Sequence, residues 1–313
     1  MRSFRASQRA SGAAPTTCRR SLRTPNAVGH SASGGTGLIK LIATDVDGTL
    51  LNHRQELTAG VEEAVKAARE LGVPLVVATG KARGPWVADV LPRLGLDTPG
   101  VFLQGLLVYD AEGRRLYDQR LPDDVARDCI ELAEREGVTL TAYCGERILC
   151  AATDAHTDRL NFYKEPPPEA VGDMRRQVGV TEMHKMIFMA DQSKIDALRP
   201  HAEALLGGRA SLTTALTGML EVLPLGASKG EGLRWLLAHL GVEPQHVMAL
   251  GDGENDVEML QLAGLGVAMG NAGPKAKAAA DVVLDETNDQ DGVAAAIRAY
   301  VLEPRVATVS VQA

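Results

Sequence analysis

Short apolar runs alternate with stretches of helical spacing along most of this chain. The first run, Leu38–Ile42, is followed by Thr58 as a candidate N-cap and by Val61, Ala64, Val65, Ala68 and Leu71 at helical spacing. Gly72 stands where a C-terminal capping glycine belongs. A second buried strand, Leu75-Val76-Val77-Ala78, ends at Thr79-Gly80-Lys81. A helix over Pro85–Leu94 and a strand beginning at Val101-Phe102-Leu103 come next. Gln104-Gly105 turns into Leu106–Tyr109, and Asp110–Gly113 makes a hairpin-like turn before Arg115–Gln119. Runs apolar on both faces, each followed by a helix, predict a parallel sheet of the α/β class.

The texture changes near Pro122. Val125–Glu136 reads as an amphipathic helix, and Thr139–Tyr143 with Arg147–Ala151 reads as a hairpin turning at Cys144–Glu146. Glu165-Pro166-Pro167-Pro168-Glu169 reads as a stiff loop. Met183–Met189 is strand-like and Ser193–Leu206 helical. The first texture returns at Leu220–Leu223 and continues through helix Lys229–Leu240, strand Val247–Leu250, helix Asp256–Leu262 and strand Gly266–Met269. Strand Asp281–Leu284 and helix Gly292–Val301 close the pattern. The expected architecture is a Rossmann-like parallel-sheet core over 38–121 and 220–304, interrupted by an α+β insert over 122–219. Residues 305–313 are read as a tail.

The first 40 residues differ from the rest. They hold six arginines, Lys40 and six serines, with no Asp or Glu. An Arg- and Ser-rich, acid-free start without an apolar core is the composition of an organelle transit peptide, expected to be disordered over 1–37. Its abundance of Ser, Thr, Ala and Gly favours the chloroplast stroma, with the mitochondrion as the alternative. Residues 41–313 carry 26 Lys and Arg against 40 acids, a net charge of −14. So acidic a body argues against tracking nucleic-acid backbones. The chain lacks the roughly 18-residue apolar run a membrane span requires. Cys18, Cys129, Cys144 and Cys150 form no CxxC pair and read as reduced thiols. No two histidines lie within four positions, which excludes a helical zinc pair.

The chemistry concentrates where predicted strands end. Asp45-Val46-Asp47-Gly48-Thr49 follows the first strand, and Gly251-Asp252-Gly253-Glu254-Asn255-Asp256 follows a later one. Carboxylates delivered together to the carboxyl edge of a sheet repel one another, and a hard cation such as Mg2+ relieves the repulsion. Asp45 is placed to attack, and Asp47, two residues on, to give and take a proton. Gly48 lets the backbone turn. A calcium loop would need its glycine at the sixth position between helices, whereas here it is fourth and follows a strand. The hydroxyl of Thr79 and the amide of Gly80 suit phosphate oxygens. Lys229 heads a helix after Gly226-Ala227-Ser228, where an ammonium neutralises a phosphate. Asp252 and Asp256 supply charge for a metal, and Asn255 can orient substrate or water. Gly264–Gly270 resembles a dinucleotide loop, but it interrupts a predicted strand and opens no helix.

In order, TDVDGTLL, VVATGKAR, LGASKGEGL and ALGDGENDVEML, with GVAMGNA downstream, resemble the haloacid dehalogenase-like phosphatases, in the Cof-type branch with a large type IIB cap. The resemblance runs from about Leu38 to Tyr300. It also extends to the phosphatase-like portion of plastid proteins that carry an added ribonuclease domain. It implies a Mg2+-dependent phosphohydrolase acting on a small phosphorylated metabolite. Sugar phosphates come first, and riboflavin-pathway or flavin and nucleotide monophosphates are the alternative. Asp45 would be the nucleophile and Asp47 the acid and base. Asp45, Asp252 and the main-chain carbonyl of Asp47 would hold the metal, with Asp256 outside them. Thr79, Gly80, Lys229 and Asn255 would grip the phosphoryl oxygens.

Two positions depart from the family pattern: Lys81 stands where arginine is usual, and Gln104 where asparagine is common. Tyr143, Glu146, Arg147, His184 and Lys185, near insert strand ends, are the candidate readers of the leaving group. A non-catalytic sensor of a phosphometabolite or partner protein is the rival class, and the intact Asp45, Asp47, Lys229 and Asp252 set argues against it. Monomer and homodimer both stay open.

Overall fold

The computed structural model describes residues 38–214 and 216–304. The transit segment expected over 1–37 and the tail over 305–313 lie outside the described residues. The chain begins with β1 (Leu41–Thr44), α1 (Ala59–Glu70), β2 (Leu75–Val77) and α2 (Pro85–Leu94). Thr58 caps α1, its hydroxyl accepting from the amide of Val61 at 3.3 Å. A three-stranded antiparallel sheet follows, made of β3 (Gly100–Phe102), β4 (Leu107–Tyr109) and β5 (Arg115–Asp118). A single parallel bridge, Ala78 to Val101, joins it to the end of β2.

The insert comprises α3 (Asp123–Glu136), β6 (Thr139–Cys144), β7 (Arg147–Cys150), α4 (Ala155–Phe162), β8 (Pro168–Ala170), β9 (Lys185–Met189), α5 (Gln192–Leu206), β10 (Ala210–Thr213) and β11 (Met219–Pro224). Its strands form one six-stranded sheet in the order β10-β11-β9-β6-β7-β8. Alternation along these strands separates two faces. Ala142, Met186, Phe188, Leu220 and Val222 pack with Ile130 of α3 and Leu198 of α5 in one apolar cluster. Tyr143, Ile187, Met189, Met219 and Leu223 belong instead to the cluster of the parallel core. The insert is therefore a lid whose sheet faces the core.

Three sequence expectations change here. Leu220–Leu223, read as the return of the core, lies in β11 and pairs with β9 and β10, so insert pairing extends to Pro224. Its apolar run fits either sheet, and only pairing partners discriminate. The proline-rich stretch read as a loop enters β8 at Pro168, and that strand runs parallel to β7. Helix α4 was not expected, because its low amphipathicity leaves no stripe to read. It is set instead by a capping box between Asp154 and Thr157.

The chain returns through α6 (Lys229–Leu240), β12 (Val247–Gly251), α7 (Val257–Leu262), β13 (Leu265–Ala268), α8 (Pro274–Ala279), β14 (Val282–Val283) and α9 (Gly292–Ile297). The five-stranded parallel sheet has the order β14-β13-β12-β1-β2. From β1 the chain moves outward to β2, and from β12 it moves the other way to β13. The crevice between β1 and β12 is thus a topological switch point, where ligands bind in open α/β sheets. Register pairs Thr44 with Leu250 and with Val77, so all three motif loops leave the sheet at one level. Among the described residues, no helix is long and apolar enough to cross a membrane.

Candidate active site

Asp45 follows β1 directly, its amide donating to the Leu250 carbonyl at 2.9 Å. Its carboxylate is buried and receives Lys229 Nζ on Oδ1 at 2.5 Å. The same ammonium reaches Asp256 Oδ1 at 2.7 Å. Ser228 caps α6 and so fixes the first turn that carries Lys229. The other oxygen of Asp256 accepts from the amides of Asp252 and Gly253, both at 2.9 Å. With both oxygens occupied, Asp256 shapes the turn that presents Asp252. The carboxylate of Asp252 is held by Thr49 Oγ1 at 3.0 Å. Gly48, at φ +82°, passes so close that a Cβ there would lie 2.4 Å from Asp252 Oδ2. That position requires glycine on both conformational and steric grounds.

The electrostatics follow from crowding. Burial raises Asp45 well above the usual carboxylate range; Lys229 opposes this, while Asp256, Asp252 and Asp47 add to it. Burial and then Asp256 push Asp252 up to about 7 against the hydroxyl of Thr49 and the charge of Lys229. Burial pulls the Lys229 ammonium down, but Asp256 and Asp45 outweigh it and raise it. One carboxylate oxygen from each of Asp45, Asp252 and Asp256 lies within 4.8 Å of the others. A set of hard oxygen donors with excess negative charge, beside a glycine whose missing side chain leaves Asp252 room, fits a small divalent cation.

Asp47 turns away from this cluster, toward Lys81 Nζ at 3.1 Å. The Lys81 ammonium is buried, also donates to the Tyr163 carbonyl, and lies 5.5 Å from the Tyr163 ring centroid and 5.7 Å from that of Trp86. Thr79 is buried, and its hydroxyl accepts from the amide of Lys81 at 3.1 Å. Above Asp45 and Asp47 a cavity opens, walled on the core side by Gly80, Lys81 and Asn255. Its roof includes Tyr143, Tyr163, Glu165, Lys185, Met219 and Glu221.

Of the five lid residues singled out in the sequence, two reach this cavity. Lys185 is buried, 4.5 Å from the Tyr143 ring centroid. The other three are placed elsewhere. Glu146 pairs with Arg83 at 3.6 Å beside a different surface cleft, and Arg147 pairs with Glu169 of the neighbouring edge strand β8 at the exposed surface. His184 is buried, but its ring contacts Asp118 at 3.2 Å and the amide of Gly145. Burial lowers its pKa, with Asp118 opposing. Position near a strand end was too coarse a criterion; strand parity decides which face a side chain takes.

Glu165 and Glu221 were missed. Glu221 carries a readable signal, a lone acid inside the apolar strand Met219–Pro224. Glu165 carries none, since its partner, the amide of Ala82 at 3.1 Å, is 83 positions away.

Glu165 yields a testable prediction. Its carboxyl is pushed up from 4.5 to about 7 by burial, with Lys81 and Lys185 opposing, Asp47 adding, and the Ala82 amide opposing. The Tyr143 hydroxyl also bonds to it. Between the two values the folded state holds a proton that the unfolded chain has lost. Stability therefore falls as pH rises from about 4.5 to about 7, by about 3 kcal/mol from this group. Urea unfolding across that window should show a flatter profile for Glu165→Gln than for wild type. An unchanged slope assigns the dependence to other groups.

A sequence model of the haloacid dehalogenase-like hydrolases matches residues 42–297. The chain is 40% identical over 269 residues to the chloroplastic endoribonuclease YBEY of Arabidopsis thaliana, covering 83% of the chain and 46% of that relative. It thus spans about half the length of that protein. Phosphatase YwpJ of Bacillus subtilis is 30% identical over 288 residues, covering 82% of the chain and 98% of YwpJ. The crystal structure of a haloacid dehalogenase-like hydrolase from Bacteroides thetaiotaomicron superposes with a TM-score of 0.74 at 28% identity, covering 83% of this chain and 99% of that one.

Proposed function

The chain belongs to the haloacid dehalogenase-like hydrolases, and on that premise we propose that it is a phosphatase working by the following reaction. The substrate is a small phosphate monoester. A carboxylate oxygen of Asp45 attacks phosphorus, and the bond to the ester oxygen breaks. Asp47 gives its proton to the departing alcohol, leaving an acyl phosphate on Asp45. Asp47 then takes a proton from water, whose oxygen attacks the same phosphorus; inorganic phosphate leaves and the Asp45 carboxylate is restored.

Mg2+ is the proposed cation, held by Asp45, Asp252 and the Asp47 main-chain carbonyl, and when bound it neutralises the charge that gathers on the transferring oxygens. Asp256 orients Asp252 from outside that set. Lys229 offsets negative charge at Asp45, while Thr79, the Gly80 amide and Asn255 bind phosphoryl oxygens. The lid excludes water from the cavity. The observation that carries this reading is the convergence of Asp45, Asp252 and Lys229 at the switch-point crevice, with Asp47 lining the same cavity as Asp45 and Asp252.

Sugar phosphates remain the first substrates to try, followed by riboflavin-pathway phosphates and flavin mononucleotide. The plastid is the proposed compartment, which agrees with the chloroplastic relative in Arabidopsis. The test is phosphate release by the purified chain across a panel of phosphorylated metabolites, with Mg2+ and with EDTA. Release that depends on the added metal and on Asp45 supports the reading. Metal-independent release, or none from protein that binds Mg2+, opposes it.

A further inference from the structure

We infer that Gln104 is a positioning residue that makes the core's grip on phosphate depend on the docked lid, with Glu221 of the lid as its direct partner; the inference rests on the phosphatase reading above. Gln104 is fully buried. Its Oε1 accepts from Asn255 Nδ2 at 3.1 Å, and its Nε2 donates to Glu221 Oε2 at 3.1 Å. Glu221 Oε2 also accepts from Lys185 Nζ at 2.7 Å, and that ammonium donates to the Gly80 carbonyl at 2.8 Å. A relay thus leaves the core at Asn255, crosses into β11 and β9 of the lid, and returns to the core at Gly80. Asn255 and Gly80 are two of the groups proposed to bind the phosphoryl oxygens.

The local backbone supports a dedicated role. Leu103 and Gln104 both have positive φ, 49° and 61°, a conformation non-glycine residues adopt at a cost. It is retained while the Gln104 amide donates to the Thr79 carbonyl at 3.0 Å and the Leu103 amide to the Lys81 carbonyl at 3.1 Å. The side-chain amide then lies against Gly80, where a Cβ would meet Gln104 Nε2 at 2.6 Å.

The chemistry of the amide explains why the lid matters. A carboxylate at 221 accepts only, so it demands the NH2 end of Gln104. That leaves the oxygen end facing Asn255, which spends one N–H on it and keeps the second for a phosphoryl oxygen. With Glu221 withdrawn, the amide is free to turn over and to set NH2 against NH2, spoiling the aim of Asn255. Asparagine at this position, one methylene shorter by about 1.5 Å, reaches neither partner.

The test is a double-mutant cycle on the full chain in Mg2+, using Gln104→Asn and Glu221→Leu. Each is expected to lower kcat/KM about tenfold and to weaken the affinity for inorganic phosphate, read by calorimetric titration, by a similar factor. The double variant should fall no further than the weaker single one, since both cut the same link. A multiplicative, roughly hundredfold loss overturns the coupling. So does a lowered melting temperature with wild-type phosphate affinity, which marks a merely structural role.

Should wild type bind phosphate yet hydrolyse no ester in the panel, the phosphatase reading fails, and the titration still decides the coupling. Wild type that binds no phosphate sinks both.

Discussion

Asp45→Asn is expected to abolish phosphate release, by about 1,000-fold or more, while leaving the protein folded. An amide has no anionic oxygen with which to attack phosphorus, so the loss should appear in kcat. The structural consequence runs the other way. Asp45 is a carboxylate that burial and three neighbouring acids disfavour, and Lys229 opposes them. A neutral isostere removes that desolvation cost and leaves Lys229 its second partner, Asp256, at 2.7 Å. Thermal melts should therefore place the variant at or above wild type. The decisive pairing is a phosphate-release assay with a melt on the same preparation. More than a tenth of wild-type activity in well-folded variant protein would remove Asp45 as the nucleophile.

The second large effect concerns Lys229, and it falls on stability as well as rate. Lys229 is buried between Asp45 and Asp256. Lys229→Met keeps most of the side-chain volume but strands two buried carboxylates, a change that typically costs about 3–5 kcal/mol. The urea midpoint should drop accordingly, and phosphate release should vanish with it. Combining Lys229→Met with Asp45→Asn should recover part of the lost stability, because one stranded charge is gone. A single variant that unfolds within about 1 kcal/mol of wild type would contradict the buried triad.

Much of this arrangement was legible from the chain alone, and for a definable reason. Three of the motif loops follow short, fully buried and mostly apolar strands of a parallel sheet, and such strands announce themselves by composition. Helix α2 begins and ends at the expected residues, Pro85 and Leu94, and α6 at Lys229 and Leu240. The resemblance drawn from the four ordered motifs is borne out by the family match over 42–297. The lid was harder. Its chemistry depends on which face of an antiparallel strand a residue takes and on partners more than 100 positions away. Glu221 illustrates both, since it meets Gln104 across 117 positions and Lys185 across 36. Glu146, Arg147 and His184 illustrate the converse. They are polar and close to the hairpin turn, yet each is satisfied by a neighbour away from the cavity.

Lys81 shows how a departure from a motif acquires meaning only in three dimensions. In the sequence it is a charge-preserving replacement that forfeits a bidentate fork. In the fold a single ammonium, small enough to sit beside the rings of Trp86 and Tyr163, bonds Asp47 of the core and the carbonyl of Tyr163 in the lid.

Direct bonds stitch the lid to the rim of the crevice at several points, among them Lys81 to Tyr163, Ala82 to Glu165, Trp86 to Lys164, Lys185 to Gly80 and Gln104 to Glu221. If the cavity takes substrate as proposed, entry and exit both part that seam. On that reading the lid works as an airlock. The cycle time would then include the undoing and remaking of the seam, for bulky esters and small ones alike.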